Sequence, residues 1–385
     1  MARLLRIFLV VLCSGTLSAV SLYCGHDSSS TNNLLLLGTA GQRSFRMGFS
    51  PWLYEATVEA QNWTYSRINA EGDVVSNHLE EGVPWPEAYN GTAFSVSYQN
   101  EIRSRLDRLV PGKKILVQIN PINIGRNGLA AYRGNGVNDP LPAPWNGYAL
   151  NDDHVKQAFL NYASRMVQYF NPDYLLLGVE VNLLIRNNPS IWSAYVELQR
   201  YVYTRLKAMY PNIQMSVSVF CVPYFPEWSS EDNRESQLAG LNDILPHVDF
   251  LSFSVHPFMS GLFAESFPGD YLSRLFSLST KPIAVSESSY PAQVWELAGP
   301  PLLTFNGSQE KQNNYLSLLL SESNRFNAKF VIWFTVRDYD QLWGDTLGRD
   351  QTALVWRDTG LYDESGNGRS GLSAWRAWCS RKPGE

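Results

Sequence analysis

The sequence predicts an α/β protein that folds as a single (β/α)8 TIM barrel, and three observations support this. After residue 44, eight short apolar runs alternate with eight helical patterns over about 340 residues, the order of a parallel barrel. The first run leads into Phe49-Ser50-Pro51-Trp52, which lacks the Gly-rich phosphate turn of an open doubly wound sheet. No linker or internal repeat divides the chain.

The individual elements follow from hydrophobic periodicity and from capping residues. The predicted strands are 45–52, 73–79, 114–120, 174–180, 213–221, 248–255, 282–287 and 330–335. The predicted helices are 57–70, 95–109, 152–170, 189–210, 235–245, 268–278, 309–326 and 372–378. Thr57 and Asp152 are expected N-caps, and Pro172 prevents the third helix from continuing. The Gly-, Pro- and Asn-rich loop 121–151 is expected to wall a cleft on the face of the barrel formed by the strand ends.

Composition excludes several classes of protein. The 385 residues include 31 basic and 36 acidic side chains, a net charge of −5 that disfavours a nucleic-acid partner. A hydrophobic fraction of 44% excludes global disorder, and no internal run of 18 uncharged apolar residues exists, so no stable membrane partner is expected. The aromatic excess of 12 Trp, 20 Tyr and 18 Phe favours a surface that stacks against sugar rings.

The N-terminus has the pattern of a secretory signal peptide. Two arginines, Arg3 and Arg6, precede an uncharged run over 7–20, and Ala19-Val20-Ser21 offers a cleavage site. We expect a signal peptide over 1–21, a flexible tether over 22–44, the barrel over 45–379 and a tail over 380–385. The protein is therefore predicted to be secreted, with an uncleaved N-terminal membrane anchor as the alternative.

Cysteine usage gives no indication of a metal site or cofactor. The cysteines are Cys13, Cys24, Cys221 and Cys379. Without a CxxC motif or a Cys/His cluster, neither a structural zinc site nor another cofactor is expected. Cys221 is predicted to be a buried thiol, while a disulfide between Cys24 and Cys379 is left open. Three glycosylation sequons, which fit secretion, begin at Asn62, Asn90 and Asn306.

Two carboxylates end predicted strands of the barrel. Glu180 ends the fourth apolar run and Glu287 ends the seventh. Active sites of such barrels lie at the carboxyl ends of the strands, and a carboxylate there is costly unless it is paired or used. Either residue alone could form a structural ion pair. Together they match the two carboxyl groups, roughly 5–5.5 Å apart, that retaining glycoside hydrolysis requires.

Other strand-end residues are candidate substrate-binding groups, each with a structural alternative. His78 ends the second run and His256 the sixth, and each either contacts the nucleophile or a sugar hydroxyl, or is a buried core histidine. Neighbouring Glu80 and Glu81 form a solvated acidic loop, or one of them binds a hydroxyl. No His-x-His metal pattern and no GxSxG nucleophile motif is present, so no metal is expected.

Several tryptophans are candidates for stacking against sugar rings. Trp333, in the eighth run, is expected to form the floor beneath the cleaved sugar. Trp52, Trp85 and Trp145 are candidates for further subsites, and packing within the core is the alternative for each.

These residues carry a resemblance to a known group of enzymes. The carriers are Gly48-Phe49-Ser50-Pro51-Trp52, the segment HLEEGVPW over 78–85, the strand-end Glu180 and Glu287, VIWF over 331–334 and GLYD over 360–363. Over most of 45–378 the chain resembles the clan A retaining glycoside hydrolases. Within that clan it is most similar to the endo-β-1,4-galactanase family, glycoside hydrolase family 53, and its uncharacterised relatives. The resemblance implies that Glu180 is the acid/base and Glu287 the nucleophile.

The sequence departs from the clan pattern beside the acid/base. The clan usually has Asn immediately before that residue, where it binds the sugar 2-hydroxyl, whereas this chain has Val179. Asn120 and Asn182 are the candidates to replace it.

The resemblance therefore implies a secreted, monomeric retaining glycosidase that cleaves a β-linked polysaccharide or oligosaccharide without a cofactor. A carbohydrate-binding barrel without activity, or a transglycosylase with the same site, are the alternatives.

Overall fold

Parallel strands form one sheet that curves into a barrel in the computed structural model, which describes residues 41–228, 233–260, 268–298 and 303–384. Within these residues the barrel strands are β1 (Arg46–Phe49), β2 (Val74–Leu79), β3 (Lys114–Ile119), β4 (Tyr174–Leu176), β5 (Gln214–Ser216), β6 (Ser218–Phe220), β7 (Leu251–Val255), β8 (Ile283–Ser288) and β11 (Phe330–Trp333). Their spatial order is β5-β4-β3-β2-β1-β11-β8-β7-β6. A separate antiparallel hairpin pairs β9 (Val294–Leu297) with β10 (Leu303–Asn306).

The two edges of this sheet belong to one interrupted strand. β5 and β6 are separated by Val217 alone, so they are successive halves of the fifth barrel strand. Backbone hydrogen bonds continue across the interruption: the amide of Ser218 donates to the Gly178 carbonyl over 2.9 Å, and the amide of Ser252 donates to the Val217 carbonyl over 3.2 Å. The predicted (β/α)8 barrel and its eight strands are confirmed.

Helices surround the barrel, and each predicted helix has a counterpart. The helices in the described ranges are α1 (Val58–Glu71), α2 (Trp85–Asn90), α3 (Val96–Leu106), α4 (Asp153–Phe170), α5 (Leu183–Asn187), α6 (Trp192–Met209), α7 (Arg234–Ile244), α8 (Tyr271–Phe276), α9 (Gln309–Arg325), α10 (Asp340–Asp345), α11 (Gln351–Arg357) and α12 (Ser370–Cys379). The short helices α2, α5, α10 and α11 were not predicted, because five to seven residues are too few to show helical periodicity.

Local hydrogen bonds explain where the predicted helices begin and end. The Thr57 side chain accepts the Ala60 amide over 3.1 Å, and the Asp152 carboxylate accepts the His154 amide over 2.8 Å. Both residues are therefore the expected N-caps. Helix α4 ends where Asn171 adopts a φ of 42°, immediately before Pro172. Cys221 is buried, as expected.

The barrel interior changes from apolar to polar along its axis. At the amino ends of the strands an apolar layer fills the interior: Val74, Leu116, Leu176, Phe250, Ala284, Phe330 and Ile332. Two residues further along β2 and β3, buried Ser76 and Gln118 form a 3.1 Å side-chain hydrogen bond. Because successive strand residues alternate between faces, the next inward positions on these strands are His78 and Asn120. The apolar layer thus closes one end, and polar groups gather at the other.

Several expectations concern residues beyond the described ranges. The predicted signal peptide, the alternative anchor, most of the tether and Cys24 fall there, so these remain predictions. Among the described residues, no helix combines the length and apolar character needed to cross a membrane. The sequon residues Asn62, Asn90 and Asn306 are all exposed.

The close approach of β1 to its neighbours makes Gly48 sensitive to substitution. A Cβ at this position would collide with the Val74 carbonyl oxygen and lie 2.9 Å from Ile332 Cδ1. We expect Gly48→Ala to lower the free energy of unfolding by about 1–3 kcal/mol, because strand backbone must shift to admit the methyl group. Chemical denaturation measures the change.

Gly344 in α10 is the matched control, since a Cβ there would meet nothing within 4 Å. Gly344→Ala should be neutral or stabilising by up to about 1 kcal/mol. Equal effects of the two substitutions would contradict the close packing of β1.

Candidate active site

A cavity opens at the mouth of the barrel where the strands end. Its lining combines carboxylates, two basic side chains, aromatic rings and aliphatic groups. The residues are Trp52, Glu80, Ile124, Arg126, Glu180, Leu183, Phe220, His256, Met259, Glu287, Phe334, Tyr339, Ala353 and Trp356. A concave, mostly apolar site with a few convergent polar groups is typical of small-molecule binding.

Glu180 lies four residues beyond the last paired residue of β4 and is held by three contacts. Its backbone adopts a φ of 51°, and its amide donates to Ser218 Oγ over 2.9 Å. Carboxylate oxygen Oε1 accepts from Ser254 Oγ over 2.8 Å, and Oε2 lies 3.3 Å from a guanidinium nitrogen of Arg126. These contacts fix both oxygens at the cavity wall.

Glu287 reaches the cavity through an irregularity in β8. Strand pairing advances from Phe253–Val285 to Ser254–Glu287, so β8 carries one extra residue there. Such a bulge changes which face the following side chains occupy. Without it, inward Ala284 would place Glu287 on the outer face. The bulge therefore re-aims this carboxylate into the mouth.

The surroundings of Glu287 favour its ionised form. Its Oε2 lies 3.7 Å from His256 Nε2, and the other ring nitrogen of His256 lies 2.7 Å from Ser289 Oγ. Burial opposes ionisation of Glu287, but the contact with His256, the charge of that ring and the charge of His78 outweigh burial and lower the pKa of Glu287. A carboxylate held ionised is suited to nucleophilic attack.

Ser254 connects the two carboxylates. It is the register partner of Glu287 on the neighbouring strand, and its hydroxyl donates to Glu180. Both carboxylates line the same cavity. The structure thus brings together the two strand-end glutamates that the sequence singled out.

Glu80 is a third carboxylate in the cavity wall, and it is strongly paired. His78 Nε2 lies 2.9 Å from it, Arg126 Nη1 lies 2.8 Å from it, and the Asn120 amide donates to it. Burial opposes ionisation of Glu80, but the Arg126 charge and the hydrogen bonds from His78 and Asn120 lower its pKa to about 2. Burial would lower the pKa of His78, yet the hydrogen bond and charge of Glu80 raise it.

Asn120 and Asn182 are both buried with their side-chain groups occupied. The Asn120 amide donates to Glu80 and, over 3.2 Å, to the Val179 carbonyl, while its oxygen accepts the Ile122 amide. Asn182 exchanges hydrogen bonds with the backbone of Phe220 and donates to Gln237 over 2.9 Å. Neither residue is in the cavity lining. In this arrangement both stabilise strand-end loops.

Trp333 lies outside the cavity because of strand alternation. It is fully buried between the barrel and the helices, and its indole N–H donates to the Thr359 carbonyl over 2.9 Å. Ile332 points into the barrel, so Trp333 points out and Phe334 points in again. Phe334 lines the cavity, so the aromatic floor lies one residue later than expected.

The other aromatic candidates divide between cavity and core. Trp52 lines the cavity and contacts Phe334 with ring centroids 5.7 Å apart. Trp85 is fully buried, stacks on Trp145 and donates to the Ala130 carbonyl over 2.9 Å, which is a packing role. Trp356, which is not among the predicted residues, lines the cavity near His256.

Arg126 was also missed from the sequence. It lies in the predicted cleft-wall loop 121–151, where no periodicity indicates which side chains turn inward. Its φ of 50° and the 2.9 Å hydrogen bond from its amide to the Asn123 carbonyl form a tight turn that directs the side chain between Glu80 and Glu180.

A group of three carboxylates in the described part of the chain lies outside the cavity lining. Asp338, Asp340 and Glu364 bring oxygens within 4.8 Å of one another. Asp338 already pairs with Arg369 and accepts the Gly360 amide over 2.8 Å, so part of the negative charge is compensated by the protein itself.

Solved structures share this fold with the chain. An exo-beta-1,4-mannosidase, Op5Man5, from Opitutaceae bacterium strain TAV5 matches with a TM-score of 0.57 and 15% identity over 88% of this chain, which spans 60% of that protein's length. A GH5_18 protein from Streptomyces cattleya in complex with Manb1-4GlcNAc gives a TM-score of 0.58 and 13% identity, covering 87% of this chain and 80% of that one.

Fungal beta-1,4-galactanases also match, with a TM-score of 0.54 and 14% identity over 87% of this chain and 99% of the galactanase chain. The predicted likeness to clan A glycoside hydrolases and their galactanase family is confirmed as a likeness of fold. No protein-family model matches the sequence, and no curated protein matches it.

The buried pairing of Glu80 makes a prediction about stability in acid. Its pKa falls from 4.5 to about 2 on folding, so its ionised form contributes stability above pH 4.5 that is lost as the pH falls toward 2. Urea denaturation at several pH values should show that, between pH 4.5 and pH 2, the free energy of unfolding of wild type falls by about 3 kcal/mol more than that of Glu80→Gln.

Exposed Glu310 provides the control, and Glu310→Gln should reproduce the wild-type loss. Parallel curves for wild type and Glu80→Gln would show that Glu80 is not strongly paired.

Proposed function

We propose that this protein is a retaining glycoside hydrolase that cleaves β-linked sugars. The observation that carries the proposal is the placement of Glu180 after the fourth barrel strand and of Glu287 near the end of the seventh, with both carboxylates lining one cavity. Ser254 pairs in register with Glu287 and donates a hydrogen bond to Glu180. Two carboxylates on opposite sides of a scissile bond are what this chemistry requires. The shared fold supports the assignment, since matching structures include glycoside hydrolases.

In the first step, Glu287 attacks the anomeric carbon and Glu180 donates its proton to the departing glycosidic oxygen. The carbon–oxygen bond of the substrate breaks, a glycosyl ester to Glu287 forms, and Glu180 becomes an anion. The lowered pKa of Glu287 supplies an ionised nucleophile near neutral pH.

In the second step, Glu180 removes a proton from water as the water oxygen attacks the anomeric carbon. The ester to Glu287 breaks, the sugar leaves with its original configuration, and both carboxyl groups return to their starting states. Ser254 and Arg126, which hold the two oxygens of Glu180, keep this residue aligned during both proton transfers.

The aromatic lining provides surfaces for sugar rings. Trp52, Phe334, Tyr339 and Trp356 border the cavity. The mannosidase and the galactanases that share the fold are both named for β-1,4 linkages. We therefore infer a β-1,4-linked hexose substrate, and β-1,4-mannosides and β-1,4-galactans are the first substrates to assay.

Transglycosylation is a second candidate function, and one observation favours it. Three apolar side chains, Ile124, Leu183 and Phe220, line the cavity together with Glu180. Apolar groups in the cavity that holds the proposed acid/base favour a sugar acceptor over water. Adding a glycoside acceptor during turnover and measuring the transfer product distinguishes the two activities.

We also propose where the protein acts and in what oligomeric state. We infer secretion from the charged and apolar N-terminal pattern, together with the exposure of the three sequon asparagines. We also infer a monomer. Expression with sequencing of the mature N-terminus tests the first inference, and sedimentation analysis tests the second.

Substituting the two carboxylates gives different expected results. Glu287→Ala should lose about three orders of magnitude or more in rate, because covalent catalysis is removed. Azide should restore turnover of an activated aryl glycoside and give a glycosyl azide of inverted configuration.

Glu180→Ala should retain the first step on activated glycosides but lose about 10²–10⁴-fold on unactivated glycans, because proton transfer to the leaving oxygen is lost. Azide should then accelerate the second step and give a retained product. Exposed Glu310→Ala should match wild type. If the wild type binds glycans but cleaves none of a broad β-linked panel, the protein is a carbohydrate-binding barrel instead.

The aromatic wall should contribute to substrate binding. We expect Trp356→Ala to lower kcat/KM by about tenfold through a higher KM, because a stacking surface worth about 1.4 kcal/mol is lost. Trp192 is also half-buried but donates to Asp243, outside the cavity lining. Trp192→Ala should therefore leave KM unchanged, and equal KM values for both variants would exclude stacking on Trp356.

A further inference from the structure

Arg126 is a buried cation shared by two carboxylates of the site. Only 4% of its side chain is exposed, and it contacts Glu80 over 2.8 Å and Glu180 over 3.3 Å. Among the residues that the structure describes, no other Arg or Lys lines the cavity. A cation beside a general acid creates a conflict, because positive charge favours the ionised carboxylate whereas the first step needs a protonated one.

The distances indicate how the Arg126 charge is divided. Glu80 lies closer to the guanidinium than Glu180 does and contacts it through both of its oxygens. Glu80 remains ionised because its pKa is lowered to about 2, so it opposes the Arg126 charge at every working pH. Glu180 therefore experiences a guanidinium whose charge is already largely compensated.

Groups from several elements face Glu180. The charged and titratable ones are Arg126 from the loop after β3, Glu80 from the loop after β2 and Cys221 from the end of β6, together with His256 and Glu287, which line the same cavity. Ser254 and Ser218 are its uncharged partners. Of these groups, Arg126 is the one in direct ionic contact with Glu180.

We propose that Arg126 and Glu80 are positioning residues that together set the pH at which Glu180 gives up its proton. Arg126 orients Oε2 of Glu180 and favours the anion that forms as the leaving group departs, while Glu80 offsets enough of that charge for the acid form to persist. The proposal rests on the role of Glu180 in the function proposed above.

Removing the positive charge at Arg126 and the negative charge at Glu80 should shift the alkaline limb of the pH profile of kcat/KM in opposite directions. Arg126→Met removes the cation, so Glu180 stays protonated to higher pH and the alkaline limb shifts to higher pH by about one unit or more. Glu80→Gln leaves the Arg126 charge uncompensated, so the limb moves down. The shift for Glu80→Gln should be smaller. Without Glu80, the pKa of His78 falls, so His78 carries less positive charge and partly offsets the effect.

The double variant Arg126→Met/Glu80→Gln should return the limb to within about half a pH unit of wild type, since both charges are removed together. Shifts in the same direction, or reduced rates with an unmoved limb, would overturn the proposal and leave these residues a structural role.

A direct titration makes the test independent of catalysis. With 13C-carboxyl glutamate, the signal absent from Glu180→Gln identifies Glu180, and its midpoint should move up in Arg126→Met and down in Glu80→Gln. If the midpoint of the Glu180 titration is the same in wild type and both variants, the charge balance is refuted even in an active enzyme. The expected shifts in a protein that cleaves no glycan would support the charge balance and refute the hydrolase.

Arg133 provides a matched control in the same loop. It is equally buried and pairs with Glu101 over 2.8 Å, but neither residue is in the cavity lining. Arg133→Met should lower stability while leaving both the alkaline limb and the Glu180 midpoint unchanged. A comparable shift in this variant would show that loss of any buried arginine in the loop moves the limb, which would contradict the assignment to Arg126.

Discussion

The alternation of inward and outward side chains along the closed barrel determines what reaches the cavity. An inward apolar layer that includes Val74 and Leu116 closes one end of the barrel. Two residues further along, Ser76 and Gln118 satisfy each other by a hydrogen bond. A further step of two gives His78 and Asn120 the next inward positions, at the mouth of the barrel, because successive strand residues alternate between faces. Regular alternation thus determines which positions of β2 and β3 face the site.

The proposed catalytic pair depends on two local departures from regular strands. Glu287 would face outward if β8 were regular, and the extra residue opposite Ser254 turns it inward. Glu180 has a φ of 51°, an uncommon value for a residue other than glycine, and its amide is held by Ser218. Backbone conformations of this kind persist where surrounding contacts determine them, and they cluster at functional sites.

The sequence predicts strand ends well and side-chain directions at those ends less well. Eight apolar runs locate the strands, so Glu180 and Glu287 could be selected because each run ends in a carboxylate. The prediction for Trp333 was wrong because Ile332 beside it faces inward, so strand alternation turns Trp333 outward. Arg126 and Trp356 lie on segments whose path is set by loop contacts, and such contacts leave no periodic signal in the sequence.

Three carboxylates at one mouth must differ in protonation if they are to have different roles, and their partners supply the difference. Glu80 has a guanidinium and an imidazole close by, and its pKa falls to about 2. Glu287 has an imidazole 3.7 Å away. Glu180 shares its guanidinium with Glu80 and takes a hydroxyl as its other partner. The three glutamates therefore differ in the charge of the groups around them. Glu180, whose cationic partner Arg126 is shared with Glu80, is the residue proposed to exchange a proton in each step.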